Sequence, residues 1–261
     1  MQRPLPYIMH IPKTAGLSLQ GIVRRRHKDE SERALIYTQK DNINGFKDRP
    51  ELRVVMGHFR YGMHKFSDRP HVYHTYLRDP IQHVISHYRY TFDHPEKFEF
   101  LPEGIENLVD FVKCKYGYNL QTRFISGIED ISSNPKAALQ TAKENLVKEF
   151  DVIGLTEEFD KSLLLLGKAM AWNIIYYLKK NKGEAREKVS PPSKEELAEL
   201  RDLLKYDIEL YQFAQMLFRA QMDKNEWVIA KEKSFKKLNP LYQKLNPSYI
   251  KFKLLLGLAK K

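Results

Sequence analysis

The sequence predicts an α/β fold, a central parallel sheet flanked by helices, with a helical C-terminal part. Short runs rich in β-branched and aromatic residues alternate with stretches of helical apolar spacing as far as Thr156. Alternation of this kind marks strands joined by helical crossovers that cover both faces of a sheet. Beyond Thr156 the spacing is helical almost throughout, and 261 residues with 42% hydrophobic content suffice for one large core.

The elements follow in order. Tyr7–Ile11 reads as the first strand and Ser18–Arg26 as the helix after it. Ala34–Tyr37, Arg53–Met56 and Val72–Leu77 are the next strands. Helical spacing marks Ile81–Tyr90, Ile105–Lys115 and Pro135–Phe150, and a fifth strand spans Asp151–Thr156. Lys179–Ser193 is polar and charged and closes on two prolines, which predicts an exposed, mobile loop. Ser193 with Glu196 forms a capping box that opens a helix over Lys194–Lys205. A domain over 1–226 is therefore expected, followed by a basic tail over 227–261. The tail's two Leu-Asn-Pro segments, at Leu238 and Leu245, predict ordered bends; Phe235 to Tyr249 should pack on the domain, and the residues from Lys251 onward should be mobile.

Lysine and arginine number 44 against 33 acidic residues, a formal charge of +11. That balance suits an anionic ligand, a nucleic acid or an acidic membrane surface without choosing among them. No window approaches the ~18–20 unbroken apolar residues of a membrane span. The first residues lack the apolar run of a signal peptide, and the single cysteine, Cys114, excludes an internal disulfide and a cysteine-based metal site. A cytoplasmic, reducing location is the expectation.

The most informative segment is Tyr7-Ile-Met-His-Ile-Pro-Lys-Thr-Ala-Gly-Leu-Ser-Leu. A strand ends, a compact loop carries Lys13, Thr14 and Gly16, and a helix begins near Ser18. This aims backbone N–H groups and a positive helix end at one point, an anion site. Lysine here precedes the glycine by three residues, unlike the Gly-x-x-x-x-Gly-Lys-Ser/Thr loop of nucleotide kinases. No acidic strand end offers itself for magnesium. Taken alone, the segment also fits an ordinary strand–turn–helix with a lysine in the turn.

The second segment is Thr75-Tyr-Leu-Arg-Asp-Pro-Ile-Gln-His-Val-Ile-Ser-His-Tyr. A strand delivers Arg78 at its end, Asp79 is placed to cap the following helix, and Pro80 suits its first turn. Ser86 follows roughly 12 Å along the helix, a span that suits a large anion held at both ends. Alone, this too fits a strand-end arginine and an unrelated serine.

Together the two segments resemble the paired cofactor motifs of the PAPS-dependent sulfotransferase superfamily, where PAPS is 3′-phosphoadenosine 5′-phosphosulfate. The resemblance implies a P-loop-NTPase-like sheet. It assigns Lys13, Thr14, Ala15, Gly16, Leu17 and Ser18 to the 5′-phosphosulfate, and Arg78 and Ser86 to the 3′-phosphate. Gly57-His-Phe-Arg-Tyr-Gly, Asn119-Leu-Gln-Thr-Arg-Phe-Ile-Ser-Gly and Gly154-Leu-Thr-Glu-Glu-Phe-Asp-Lys-Ser-Leu extend the match over residues 5–215. They resemble the branch that holds heparan sulfate 2-O- and 6-O-sulfotransferases and bacterial relatives. His83 stands where relatives often carry arginine, which predicts a weaker grip on the cofactor. The 179–193 loop departs from the usual segment that closes over the nucleotide.

The implied reaction is sulfuryl transfer from PAPS to a hydroxyl of a glycan or small-molecule alcohol, leaving adenosine 3′,5′-bisphosphate (PAP), with no metal required. His58 follows a strand end and a permissive glycine, and an imidazole suits proton abstraction near neutral pH. The resemblance gives the same role to the histidine of the Gly-His motif. Lys13 is expected to neutralise charge on the bridging oxygen. His10 reads as a packing or orienting residue, and His64 and His74 have no stronger claim. Asn119, Gln121 and Arg123 are candidates to line the acceptor site, or else form the polar face of a short helix. Two other readings compete: a P-loop kinase acting on a hydroxyl, and a basic module binding nucleic acid or a membrane surface on a vestigial nucleotide fold. No nucleic-acid partner is expected on the sulfotransferase reading. Weak peripheral membrane contact through the tail is compatible with it.

Overall fold

A computed structural model describes residues 3–37, 49–94, 104–114, 117–173, 175–178 and 191–255, the side chains of Phe92 and of 246–255 excepted. The expected loop over 179–193 lies outside the described residues except at its last three positions.

Five strands form one parallel sheet: β1 (Leu5–Met9), β2 (Arg33–Ile36), β3 (Val54–Gly57), β4 (His71–Leu77) and β5 (Phe150–Leu155), in the order β2-β3-β1-β4-β5. Consecutive residues of β3 are all buried, as are Tyr73 to Leu77 of β4. A strand buried on both faces belongs to a sheet covered by helices on both sides. The α/β architecture is thus as the alternation predicts, with strand boundaries shifted by one or two residues.

Helix α1 (Gly16–Arg26) follows β1, and α2 (Pro80–Asp93) follows β4. Asp79 caps α2, its carboxylate accepting from Gln82 N at 2.9 Å, with Pro80 in the first turn. Then come α3 (Leu108–Lys113), α4 (Leu120–Ser126), α5 (Pro135–Lys148) and, after β5, α6 (Phe159–Ala169). The capping box at Ser193 and Glu196 forms in full and opens α7 (Lys194–Leu203), which leads into α8 (Lys205–Asp223). The main core gathers all five strands with α1, α4, α5, α6 and α8. A second apolar cluster joins α2, α3 and α7 through Val84, Phe111 and Leu200.

The C-terminal segment differs from expectation. It is one helix, α9 (Trp227–Leu255), which continues through both Leu-Asn-Pro segments instead of ending in turns there. Proline inside a helix removes a hydrogen bond and crowds the preceding turn. Tertiary contacts offset that penalty around Pro240: Val228 and Phe235 join the main core, and the buried Asn239 accepts from Tyr177 N at 2.9 Å. The packing expected at Phe235 is present.

Candidate active site

β1 lies between β3 and β4, with Met9 paired to Gly57 on one side and to Thr75 on the other. The connections run to opposite sides of β1, so a crevice opens at the C-terminal ends of these three strands. That edge carries the 10–16 loop, His58 and Arg78.

The loop is held by its carbonyls. Thr75 Oγ1 donates to Met9 O at 3.0 Å, and His58 Nδ1 to His10 O at 2.8 Å. Thr14 Oγ1 donates to Ile11 O at 2.8 Å, His83 Nε2 to Pro12 O at 2.8 Å, and Arg78 Nη1 to Lys13 O at 3.2 Å. Five consecutive carbonyls are therefore bound by side chains around the loop. Lys13 and Ala15 adopt left-handed backbone conformations, φ 67° and 66°. Each such non-glycine residue costs about 1–3 kcal/mol and persists where its surroundings over-determine it. Ala15 is the N-cap of α1 and gives it no side-chain cap. The first-turn amides of Gly16 and Leu17 have no intrahelical acceptor. With the carbonyls held elsewhere, the amides and the helix end form a cradle for an anion.

Gly16 has a specific steric reason. A Cβ there would lie 1.8 Å from the His10 ring. That ring is buried against the start of α1, 4.5 Å from the ring of His58 between centroids, and both its nitrogens lack a hydrogen-bond partner among the described residues. His10 thus orients His58 twice, through its carbonyl and through its ring. Because a carbonyl only accepts, His58 Nδ1 carries the proton and Nε2 holds the lone pair. Burial pulls the His58 pKa below its usual 6.5, against the raising effect of the His10 bond. The imidazole is neutral at pH 7.

Burial brings the His83 pKa to about 4, so this ring is neutral too. Its one N–H goes to the Pro12 carbonyl, so histidine at this position braces the 10–16 loop. Lys13 Nζ sits 3.9 Å over the Tyr90 ring, a cation–π contact from α2. Arg78 is half-buried, and burial depresses its pKa against the opposing pull of Glu157 and Asp79. Ser86 lies half-buried two turns along α2 from Arg78.

Asn119, Gln121 and Arg123 are all buried, with their polar atoms directed at protein groups. Gln121 clamps the Arg78 backbone from both sides: Oε1 accepts from Arg78 N at 2.9 Å, and Nε2 donates to Arg78 O at 2.9 Å. Asn119 Nδ2 donates to Leu203 O, and its Oδ1 accepts from Asp207 N, both at 2.8 Å. Arg123 Nε donates to Glu129 O at 2.5 Å. Behind them Asp207 accepts from Gln121 N (3.1 Å), Thr122 N (2.7 Å) and Thr122 Oγ1 (2.7 Å), while burial raises its pKa to about 6. Sequence reasoning singled out the trio but missed Asp207, Thr75 and Tyr90. A lone aspartate on an amphipathic helix carries no local sign of its partners 85 residues away. Among the described residues, no group of three or more His, Cys, Asp or Glu side chains is placed to hold a metal ion.

No family model matches the chain. It is 25% identical over 240 residues to heparan sulfate 2-O-sulfotransferase 1 of Xenopus laevis, covering 78% of this chain and 67% of that protein. The proteins of the same name from Gallus gallus and Homo sapiens are 23% and 22% identical over 273 residues, covering 88% of this chain and 77% of theirs. Similarity of this extent, on an α/β fold with a parallel central sheet, supports a relationship to the sulfotransferase superfamily.

Proposed function

We propose that the chain transfers a sulfuryl group from PAPS to a hydroxyl of a glycan or small-molecule acceptor, with His58 as general base. The observation that carries this reading is that the five consecutive carbonyls from Met9 to Lys13 are bound by side chains while the N-cap of α1 gives no side-chain cap. Such an arrangement favours an anion, and it adjoins a neutral imidazole with its lone pair on Nε2.

The donor set suits a nucleotide with phosphates at two positions. Lys13, Thr14, Ala15, Gly16, Leu17 and Ser18 would hold the 5′-phosphosulfate, and Arg78 with Ser86 the 3′-phosphate. The bound donor supplies an activated sulfuryl group on a phosphate leaving group. His58 Nε2 takes the proton of the acceptor hydroxyl, a role that typically contributes 10²–10⁴-fold. Lys13, restrained over Tyr90, supplies positive charge where the leaving oxygen gains negative charge. Gln121 is a positioning residue: it fixes the backbone from which Arg78 projects, and Asp207 fixes Gln121. Asn119 and Arg123 support that arrangement from behind.

Thermal denaturation tests the cofactor assignment. PAP should raise Tm clearly by binding the native state, and ATP with magnesium should do much less. Equal stabilisation by the two would overturn the assignment. Labelled PAPS offered to an array of hydroxyl acceptors would then identify the substrate.

A further inference from the structure

Between Trp227 and Leu255 the chain carries seven lysines and one acidic residue, Glu232. In a structureless tail this would be a solvated charge run. On a single helix the lysines acquire positions relative to the apolar residues, and those positions are informative.

At 100° per residue, Leu238, Leu241 and Leu245 fall within about 60° of one another on α9. All three face solvent, with exposures of 45%, 51% and 61%. Lys231 borders this stripe on one side, Lys237 and Lys244 on the other, and Lys233 lies further round; all four are exposed. The residues that anchor the helix, Val228, Phe235 and Asn239, lie about a quarter-turn away and are buried. The body of the protein therefore fixes the rotation of α9 and holds the leucine stripe outward. Single exposed leucines are ordinary on a protein surface; three in register between lysines form the pattern of a helix lying in a membrane interface.

We propose that this face of α9 docks on a membrane surface carrying anionic phospholipid, the leucines entering the acyl boundary and the lysines meeting the headgroups. The charge excess selects an anionic partner. Exposed leucines contribute nothing to a phosphate backbone, and Phe235 and Tyr242, among the described side chains, are engaged, both stacking on Tyr176. A second copy of the chain would bring lysines against lysines. The surface does not depend on the reaction proposed above.

Co-sedimentation of the full chain with vesicles tests the docking. Binding is expected to phosphatidylcholine vesicles that contain phosphatidylglycerol and not to phosphatidylcholine alone. It should weaken severalfold as salt rises from about 0.1 M to several times that concentration. L238S/L241S/L245S and K233E/K237E/K244E alter only exposed side chains, and unchanged Tm would establish that each variant folds. Each should lower the bound fraction at least fivefold. The proposal is overturned if phosphatidylglycerol vesicles are not bound, or if either folded variant binds them as the parent does. It is also overturned if the vesicles are ignored while the chain binds RNA, or while the leucine variant alone converts a dimer to a monomer.

Discussion

Two helix N-termini in this molecule are built alike and end differently. α1 and α4 each start from a non-glycine N-cap in the left-handed conformation, Ala15 at φ 66° and Asn119 at φ 41°, and neither N-cap bonds its own helix through its side chain. At α4 the open amides of Gln121 and Thr122 are met by the Asp207 carboxylate, an internal anion delivered by α8. At α1 no such carboxylate arrives among the described residues; side chains bind the carbonyls of Met9 to Lys13 instead. The same local geometry is thus met by a carboxylate in one place and, on the proposed function, by a ligand in the other. Under that proposal, a helix end becomes a binding site through what the rest of the fold withholds from it.

The comparison breaks most visibly through chemistry. On the proposed role of His58 as base for the acceptor, His58→Asn should reduce turnover roughly 10²–10⁴-fold while PAP affinity stays within about twofold. Single-turnover rates beside equilibrium binding would separate the two effects. Near-normal turnover would place the base elsewhere and leave α1 as a binding cradle only.

Acid should then act on the buried histidines and on Asp207 with opposite sign. Burial holds His74 and His83 near pKa 4 against an ordinary 6.5. Their contribution to stability is complete above pH 6.5 and is lost as pH falls toward 4, on the order of several kcal/mol for two buried rings. Asp207 runs the other way: raised from 3.8 to about 6, it stabilises fully below 3.8 and loses that contribution as pH rises through 6. Urea denaturation from pH 7 to 4 should show a net loss. Asp207→Asn should deepen that loss relative to its own stability at pH 7.

Removing the internal anion is the third test. Asp207→Ala leaves two backbone amides and the Thr122 hydroxyl buried without an acceptor, which should cost about 3 kcal/mol or more of folding stability. Because Gln121 then loses its anchor, PAP affinity should fall as well. A variant that unfolds more easily but binds PAP normally would uncouple α4 from the site.

The smallest effect expected is that of Arg78→Ala on PAP binding, a loss of about 1.5–3 kcal/mol typical of a charge-assisted contact. Calorimetry would measure it. Unchanged affinity would remove Arg78 from the phosphate site and confine its role to the Lys13 carbonyl.

Much of the fold was legible because its signals are local. Strand and helix periodicity located all five strands within two residues, and Asp79 and Ser193 cap the helices their spacing predicts. The convergence of the Lys13 loop, His58 and Arg78 was also legible, since the C-terminal ends of parallel strands share an edge. The direction in which a polar side chain turns was not. Asn119, Gln121 and Arg123 present the same residue types whether they meet a substrate or a neighbouring helix, and their partners at Leu203, Arg78 and Glu129 come mostly from distant elements.

By itself, then, the sequence determined the element order, the parallel sheet and the strand–loop–helix over 5–26, all of which rest on propensities within a few residues. Tertiary structure decided which helix end received an anion, which tautomer His58 adopts, and that α9 continues through Pro240. Each of those depends on a long-range partner: Asp207 for α4, the His10 carbonyl for His58, and Tyr177 with the main core for α9. Long-range partners leave no periodicity in the chain, because the free energy that selects them arises only when distant segments are packed together.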